Sequence, residues 1–239
     1  MSGSEAEQER RRRVVRLGSA AAFLAIVVVA VLVVIGQSQT EGGDTSLEGT
    51  GSVRQELAGV PQDGLVLGDP AAPVTLVEFG DLQCPICKGY AEDVIPDVID
   101  SKVRSGEARI EFRNFTIISE ESVPAAAAAV AAGRQGHGWE FLELFYRNQG
   151  IERSGYVTDE FLIEIARGAG VPDIAKWSKD RKSGRILSEV SADTTEAERL
   201  GLEGTPSFAV EGPGTKGLDV LGPLGSTGEI EAAVDAASG

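Results

Sequence analysis

The chain's only two cysteines fall within four residues, in Cys84-Pro85-Ile86-Cys87. Four chemistries use such a C-x-x-C. Haem c attachment requires a histidine directly after the second cysteine, and here the residue is Lys88. A structural zinc ion takes about four ligands. The sequence offers one histidine, His137, and no third cysteine. A structural disulfide would close a loop of about four residues, and so short a loop gains little from closure entropy. The reading that remains is a redox-active dithiol. A thiol at a helix N-terminus meets the positive end of the dipole and free N–H groups, which favour the nucleophilic thiolate. Cys87, one helical turn further in, is placed to attack a mixed disulfide and release the partner.

Such a pair needs a strand to deliver it and a helix to hold it. Val74–Phe79 reads as a strand, introduced by Gly68-Asp69-Pro70 and by Pro73 and ended by Gly80-Asp81. It is nearly all apolar, as a central strand covered on both faces should be. Cys84 opens a helical pattern in which Tyr90, Val94, Ile95, Val98 and Ile99 recur on one face, and Pro96 predicts a kink. Ala108, Ile110 and Phe112 then alternate with Arg109, Glu111 and Arg113, a second strand. The unit is a βαβ crossover, the context that strengthens a C-x-x-C.

From Ser122 to Arg199 the pattern is helical. An Ala-rich helix starts at Ser122 and stops at Gly133, and a second carries Trp139, Phe141, Leu142, Leu144 and Phe145. A third is capped by Thr158, and two more cover Ile174–Lys182 and Ile186–Leu200. Trp139 reads as a core anchor and His137 as a helix-junction residue. Strands resume at Ser207–Val210 and Leu218–Leu221, and Ser226 with Glu229 opens a last helix. The predicted order is βαβ, a helical block, then ββα.

The net charge of −15 argues against a nucleic-acid partner, which would need a basic face. The first 40 residues depart from this acidity, with five arginines against three glutamates. Arg10–Arg13 and Arg16 precede an uncharged apolar run, Leu17–Ile35. As a helix, 19 residues span roughly 28 Å, close to the bilayer core of about 30 Å. Arginines on its N-terminal side predict a cytoplasmic N-terminus and an extracytoplasmic C-terminal domain. Gly36-Gln37-Ser38 is a poor cleavage site, so the run reads as an uncleaved signal anchor. The expected organisation is a basic tail (1–16), a transmembrane anchor (17–35), a flexible linker rich in Gly, Ser, Thr, Gln and Glu (36–64), and one domain (65–239).

The stretch Gly68–Asp81 leading into Cys84-Pro85-Ile86-Cys87 resembles the DsbA-like branch of the thioredoxin superfamily. Gly204-Thr205-Pro206-Ser207-Phe208, about 120 residues on, resembles that family's cis-proline loop, and the helices between resemble its helical insertion. The resemblance implies a thioredoxin-like α/β fold with an insertion over about 120–200. It implies thiol–disulfide exchange without cofactor or metal, with Cys84 as attacking and Cys87 as resolving thiol. Pro206 would be cis and face the pair, leaving the Thr205 backbone to bind an extended substrate segment. Pro85 and Ile86 would also contact substrate. Exported cysteine-containing proteins are the implied substrates, and a membrane redox partner would reset the pair.

Glu78, six residues before Cys84, stands where the family commonly has a buried acid that exchanges protons with the resolving thiol. On an apolar central strand its carboxylate would be desolvated and its pKa raised, which suits such a relay; at the strand's end it would instead meet water. One departure concerns direction. Many strongly oxidising relatives carry His where this chain has Ile86, and Ile cannot donate a hydrogen bond to the thiolate. A less stabilised thiolate makes a weaker oxidant. The function expected is disulfide transfer to exported proteins. A reductase or isomerase is the alternative within the class, and a non-catalytic binding module or redox sensor is the alternative outside it.

Overall fold

The computed structural model describes residues 47–222 and 225–239. The basic tail, the apolar span 17–35 and residues 36–46 of the linker lie outside the described residues. Among the described residues, no helix is long and apolar enough to cross a membrane.

The central strand is β3 (Val74–Gly80), buried along its whole length. It pairs in parallel with β4 (Ala108–Asn114) and antiparallel with β5 (Ser207–Glu211). A short β6 (Asp219–Val220) extends the sheet beyond β5. The other edge is a hairpin of β1 (Gln62–Asp63) and β2 (Val66–Leu67), and the spatial order is β1-β2-β4-β3-β5-β6. β4 is half covered: Ala108, Ile110, Phe112 and Asn114 are buried while Arg109, Glu111 and Arg113 are partly exposed.

The β3–β4 crossover begins with α2 (Pro85–Asp93). The helix breaks at Val94 and continues as α3 (Ile95–Val98) and a π-helical turn over Ile99–Val103. Pro96, which lacks an N–H, sits in the first turn of α3, where that loss is tolerated. The insertion between β4 and β5 holds α4 (Ser122–Gly133), α5 (Gly138–Arg147), α6 (Asp159–Gly168), α7 (Ile174–Asp180) and α8 (Gly184–Arg199). The Thr158 hydroxyl accepts the Phe161 N–H and so caps α6. α4 is buried on nearly all sides, since alanines let its neighbours approach closely. Trp139 and Trp177 are buried in this block, and the Trp177 indole N–H donates to the Ala128 carbonyl at 2.9 Å. His137 sits at the junction preceding α5, 3.7 Å from Glu140. The chain ends in α9 (Thr227–Ser238), which buries Ile230, Val234 and Ala237.

The sheet separates two apolar layers. Val77, Phe79 and Ala209 pack with Phe115 and with Ala197 of α8. Val74, Leu76, Ile110, Phe112, Phe208 and Val210 join the larger core with α2, α3, α9 and the rest of the insertion.

The linker expected over 36–64 extends too far. Residues 47–64 are folded: α1 (Thr50–Glu56) buries Val53 completely, Leu57 at its C-terminal cap is almost completely buried, and the β1–β2 hairpin follows. The segment's polar composition hid two apolar anchors and a turn glycine. Gly64 packs so tightly between α4 and α5 that a Cβ on Gly133 or Gly138 would lie 2.7 or 2.2 Å from its carbonyl oxygen.

Candidate active site

β3 delivers the cysteine pair at the middle of the sheet, and a short turn aims it. The Asp81 carboxylate accepts N–H groups from Gln83 (2.9 Å) on one oxygen, and from Ile117 (2.9 Å) and Ile118 (3.0 Å) on the other. Its carbonyl accepts the Cys84 N–H at 2.9 Å. The turn after β3 is thereby tied to the loop after β4.

Cys84 is the N-cap of α2, with extended backbone (φ −75°, ψ 119°), and Pro85 follows at the first helical position. Its sulfur accepts the Cys87 N–H at 3.4 Å and lies 3.3 Å from the Thr205 carbonyl, to which the thiol donates. A hydrogen bond from the Cys87 thiol brings the Cys84 pKa down to about 6. Burial opposes that shift, while the Thr205 side chain and the N–H groups of Cys87 and Ile86 add to it. Cys87 is fully buried and behaves oppositely. Burial pushes its pKa well above the ordinary thiol range, and the bond to Cys84 and the charge of Glu78 push it further. Both sulfurs are free thiols.

Glu78 faces the cysteine helix rather than water. It is 3 % exposed, and one of its carboxylate oxygens has no hydrogen-bond partner. Burial, with a smaller contribution from Cys84, raises its pKa to about 8, so near neutrality it holds a proton.

The Thr205–Pro206 peptide bond is cis and packs this loop against the cysteine pair. Beside it runs a groove of about 570 Å³ lined by Ile86, Tyr90, Leu202, Pro206, Phe208 and Leu221. Ile86 is 61 % exposed at its rim, and Tyr90 stacks near Phe208 with ring centroids 5.4 Å apart. The structure thus gathers Glu78, Cys84, Cys87, Thr205 and Pro206 around one sulfur pair, with Pro85 and Ile86 on its outer side. Among the described residues, no cluster of His, Cys, Asp and Glu could hold a metal ion.

A thioredoxin family model matches residues 61–218, which include both motifs of this site. The chain belongs to the thioredoxin family. Its relatives include disulfide bond formation proteins. The probable disulfide bond formation protein D of Bacillus cereus is 33 % identical over 150 residues, covering 61 % of this chain and 69 % of that protein. Disulfide bond formation protein D of Bacillus subtilis is 29 % identical over 177 residues, 72 % of this chain and 75 % of that protein. The crystal structure of oxidised BdbD from Bacillus subtilis shares the fold, with a TM-score of 0.64 at 23 % identity, covering 74 % of this chain and 96 % of that one. This thioredoxin-family chain is a DsbA-like protein disulfide oxidoreductase.

Sequence reasoning missed much of what supports the site. Glu143 of α5 is a second buried carboxylate. Burial raises its pKa to about 8, Arg147 opposes the rise, and the charges of Glu56, Glu78 and Glu92 add to it. The Lys88 ammonium donates to the Tyr146 carbonyl at 2.7 Å, which clasps α2 to the end of α5. Gln83 and Gln149 also lie against the active-site turn. Their roles at the site rest on partners distant in sequence: Lys88 on Tyr146, Gln149 on Leu82 and Gln83 on Ser119.

Proposed function

We propose that the protein transfers the Cys84–Cys87 disulfide to cysteine-containing exported proteins, from an extracytoplasmic domain anchored through the apolar run 17–35. The observation that carries this reading is the opposed proton affinity of two neighbouring sulfurs, set on Cys84 chiefly by the Cys87 thiol, with its N–H adding to it, and on Cys87 by burial. A client thiolate attacks Cys84 Sγ and breaks the bond to Cys87, whose sulfur leaves as a thiolate. Glu78, protonated near neutrality, supplies the proton that Cys87 takes up. A second client thiolate then attacks the client sulfur of the mixed disulfide. The client disulfide forms, and Cys84 leaves as a stabilised thiolate. The client loses two electrons and the enzyme gains them as a dithiol, which a membrane redox partner reoxidises. The groove beside Pro206 and the Thr205 backbone hold the client's extended segment, with Pro85 and Ile86 against its cysteine.

Arginines before the apolar span support the orientation, and the naming of the Bacillus relatives for disulfide bond formation supports the oxidase. Purified full-length protein in its disulfide form should oxidise a reduced, unfolded client stoichiometrically, and Cys87→Ser should accumulate mixed disulfides on Cys84. No client oxidation by the wild type would overturn the oxidase. In intact cells, a membrane-impermeant maleimide should label Cys84 of the reduced protein. Labelling only after lysis would overturn the location.

A further inference from the structure

The main chain that carries Cys84 is held from a second side, by the helical insertion. Gln149, two residues beyond α5, donates from its side-chain amide to the Leu82 carbonyl at 2.7 Å and to the Cys84 carbonyl at 3.1 Å. Gln83 crosses the other way. It is fully buried, donates to the Ser119 hydroxyl at 2.6 Å and accepts the Arg153 N–H at 2.9 Å. Arg153 adopts φ 60°, a left-handed conformation uncommon outside glycine, and donates through Nε to the Ile118 carbonyl at 2.9 Å. Two glutamine side chains therefore lace the turn before α2 to residues 118–153.

A primary amide has two N–H donors, and Gln149 has an active-site carbonyl within reach of its nitrogen on either side. Donation to the Cys84 carbonyl has two physical effects. It withdraws partial negative charge from beside the sulfur. It also holds the extended ψ of 119° at Cys84, on which the 3.4 Å approach of the Cys87 N–H depends. Leu82 is buried at 2 % exposure, so a carbonyl released there would gain little from water.

We propose that Gln149 is a positioning residue for the thiol–disulfide exchange, holding the Cys84 main chain where the Cys87 N–H meets the Cys84 sulfur. It touches neither client nor sulfur and acts through the backbone of Cys84. The inference rests on the active-site reading above, and it gives the helical insertion a direct hold on the reactive cysteine.

The test is the thiolate absorbance of the reduced full-length protein against pH, with alkylation of Cys84 at pH 5, for wild type, Gln149→Met and Gln149→Asn. Met keeps the length without a donor, and Asn keeps the amide one methylene too short to span both carbonyls. Losing the clamp should raise the Cys84 midpoint by roughly one pH unit, the size of one hydrogen bond, and slow alkylation at pH 5 about tenfold. A folded Gln149→Met protein with the wild-type midpoint would overturn the proposal. Should that variant not fold, an unchanged midpoint in Gln149→Asn does so instead. The readout needs no client, so a wild type that titrates near pH 6 but oxidises nothing would sink the oxidase reading and leave this one standing. A wild type without that titration would remove the basis of both.

Discussion

The backbone N–H of Cys87 points at the sulfur of Cys84 across 3.4 Å. One residue of the pair thereby stabilises the other's negative charge while its own sulfur stays buried. The division of labour between attacking and resolving thiol follows from this contact together with the Cys87 thiol, which stabilises the Cys84 thiolate most, and the burial of Cys87, because only the first sulfur gains from ionising.

The two thiols should separate cleanly in a titration. With a pKa of about 6, Cys84 is about nine-tenths thiolate at pH 7, against about one part in a hundred for a thiol of pKa 9. Iodoacetamide labelling of the reduced protein should climb through pH 6, level off by about pH 8 and fall on Cys84 alone. Cys84→Ser should abolish it. Mass spectrometry of the labelled peptide identifies the site, and equal labelling of Cys87 at pH 7 would contradict the assignment.

Glu78 and Glu143 each keep a proton to about pH 8 when folded and lose it near pH 4.5 when unfolded. Between those values the unfolded state binds fewer protons, so each carboxyl makes stability fall as pH rises, with its contribution fully present below 4.5 and gone above 8. Glu78→Gln and Glu143→Gln remove that loss. Whatever the offset at pH 5, each variant should gain on the wild type by roughly 1–4 kcal/mol by pH 8, read by urea unfolding at both values. The two should differ in activity. Glu78→Gln should slow client oxidation about tenfold or more, since no carboxyl then protonates Cys87.

Ile86 is largely exposed beside the reactive sulfur, so it can be changed without opening the core. Ile86→His places a donor there and should raise the reduction potential by about 30 mV or more, while lowering the Cys84 midpoint. Equilibration with glutathione measures it. The wild-type value also sets direction: about −120 mV marks an oxidant and about −270 mV a reductant.

Val53 decides whether residues 47–58 belong to the folded body. It is completely buried under α1, and α1 is further held by Glu56, which pairs with Arg147 at 2.6 Å. Val53→Asp should cost about 3 kcal/mol or more by placing a charge in an apolar site. The midpoint of urea unfolding reports it, and an unchanged midpoint would return this segment to the linker.

Much of this protein was legible in its residues. The apolar run Val74–Phe79, the alternation Ala108–Arg113 and the caps of the helical block each obey a local rule of period or end chemistry, so strands and helices fell near their observed places. Cys84-Pro85-Ile86-Cys87 was visible as a local pattern too, whereas Gly204-Thr205-Pro206 was picked out by its resemblance to the family's cis-proline loop. Residues 47–64 misled because burial of Val53 and the seat for Gly64 depend on α4 and α5, far along the chain. Tertiary structure alone decided that Glu78 faces the cysteines and not water, that Glu143 lies buried near it, and that Gln149 reaches the carbonyls of Leu82 and Cys84 across more than sixty positions. Pattern along a chain records which face of an element is apolar. It does not record which distant polar group meets it, and proton affinity at this site is set by that meeting.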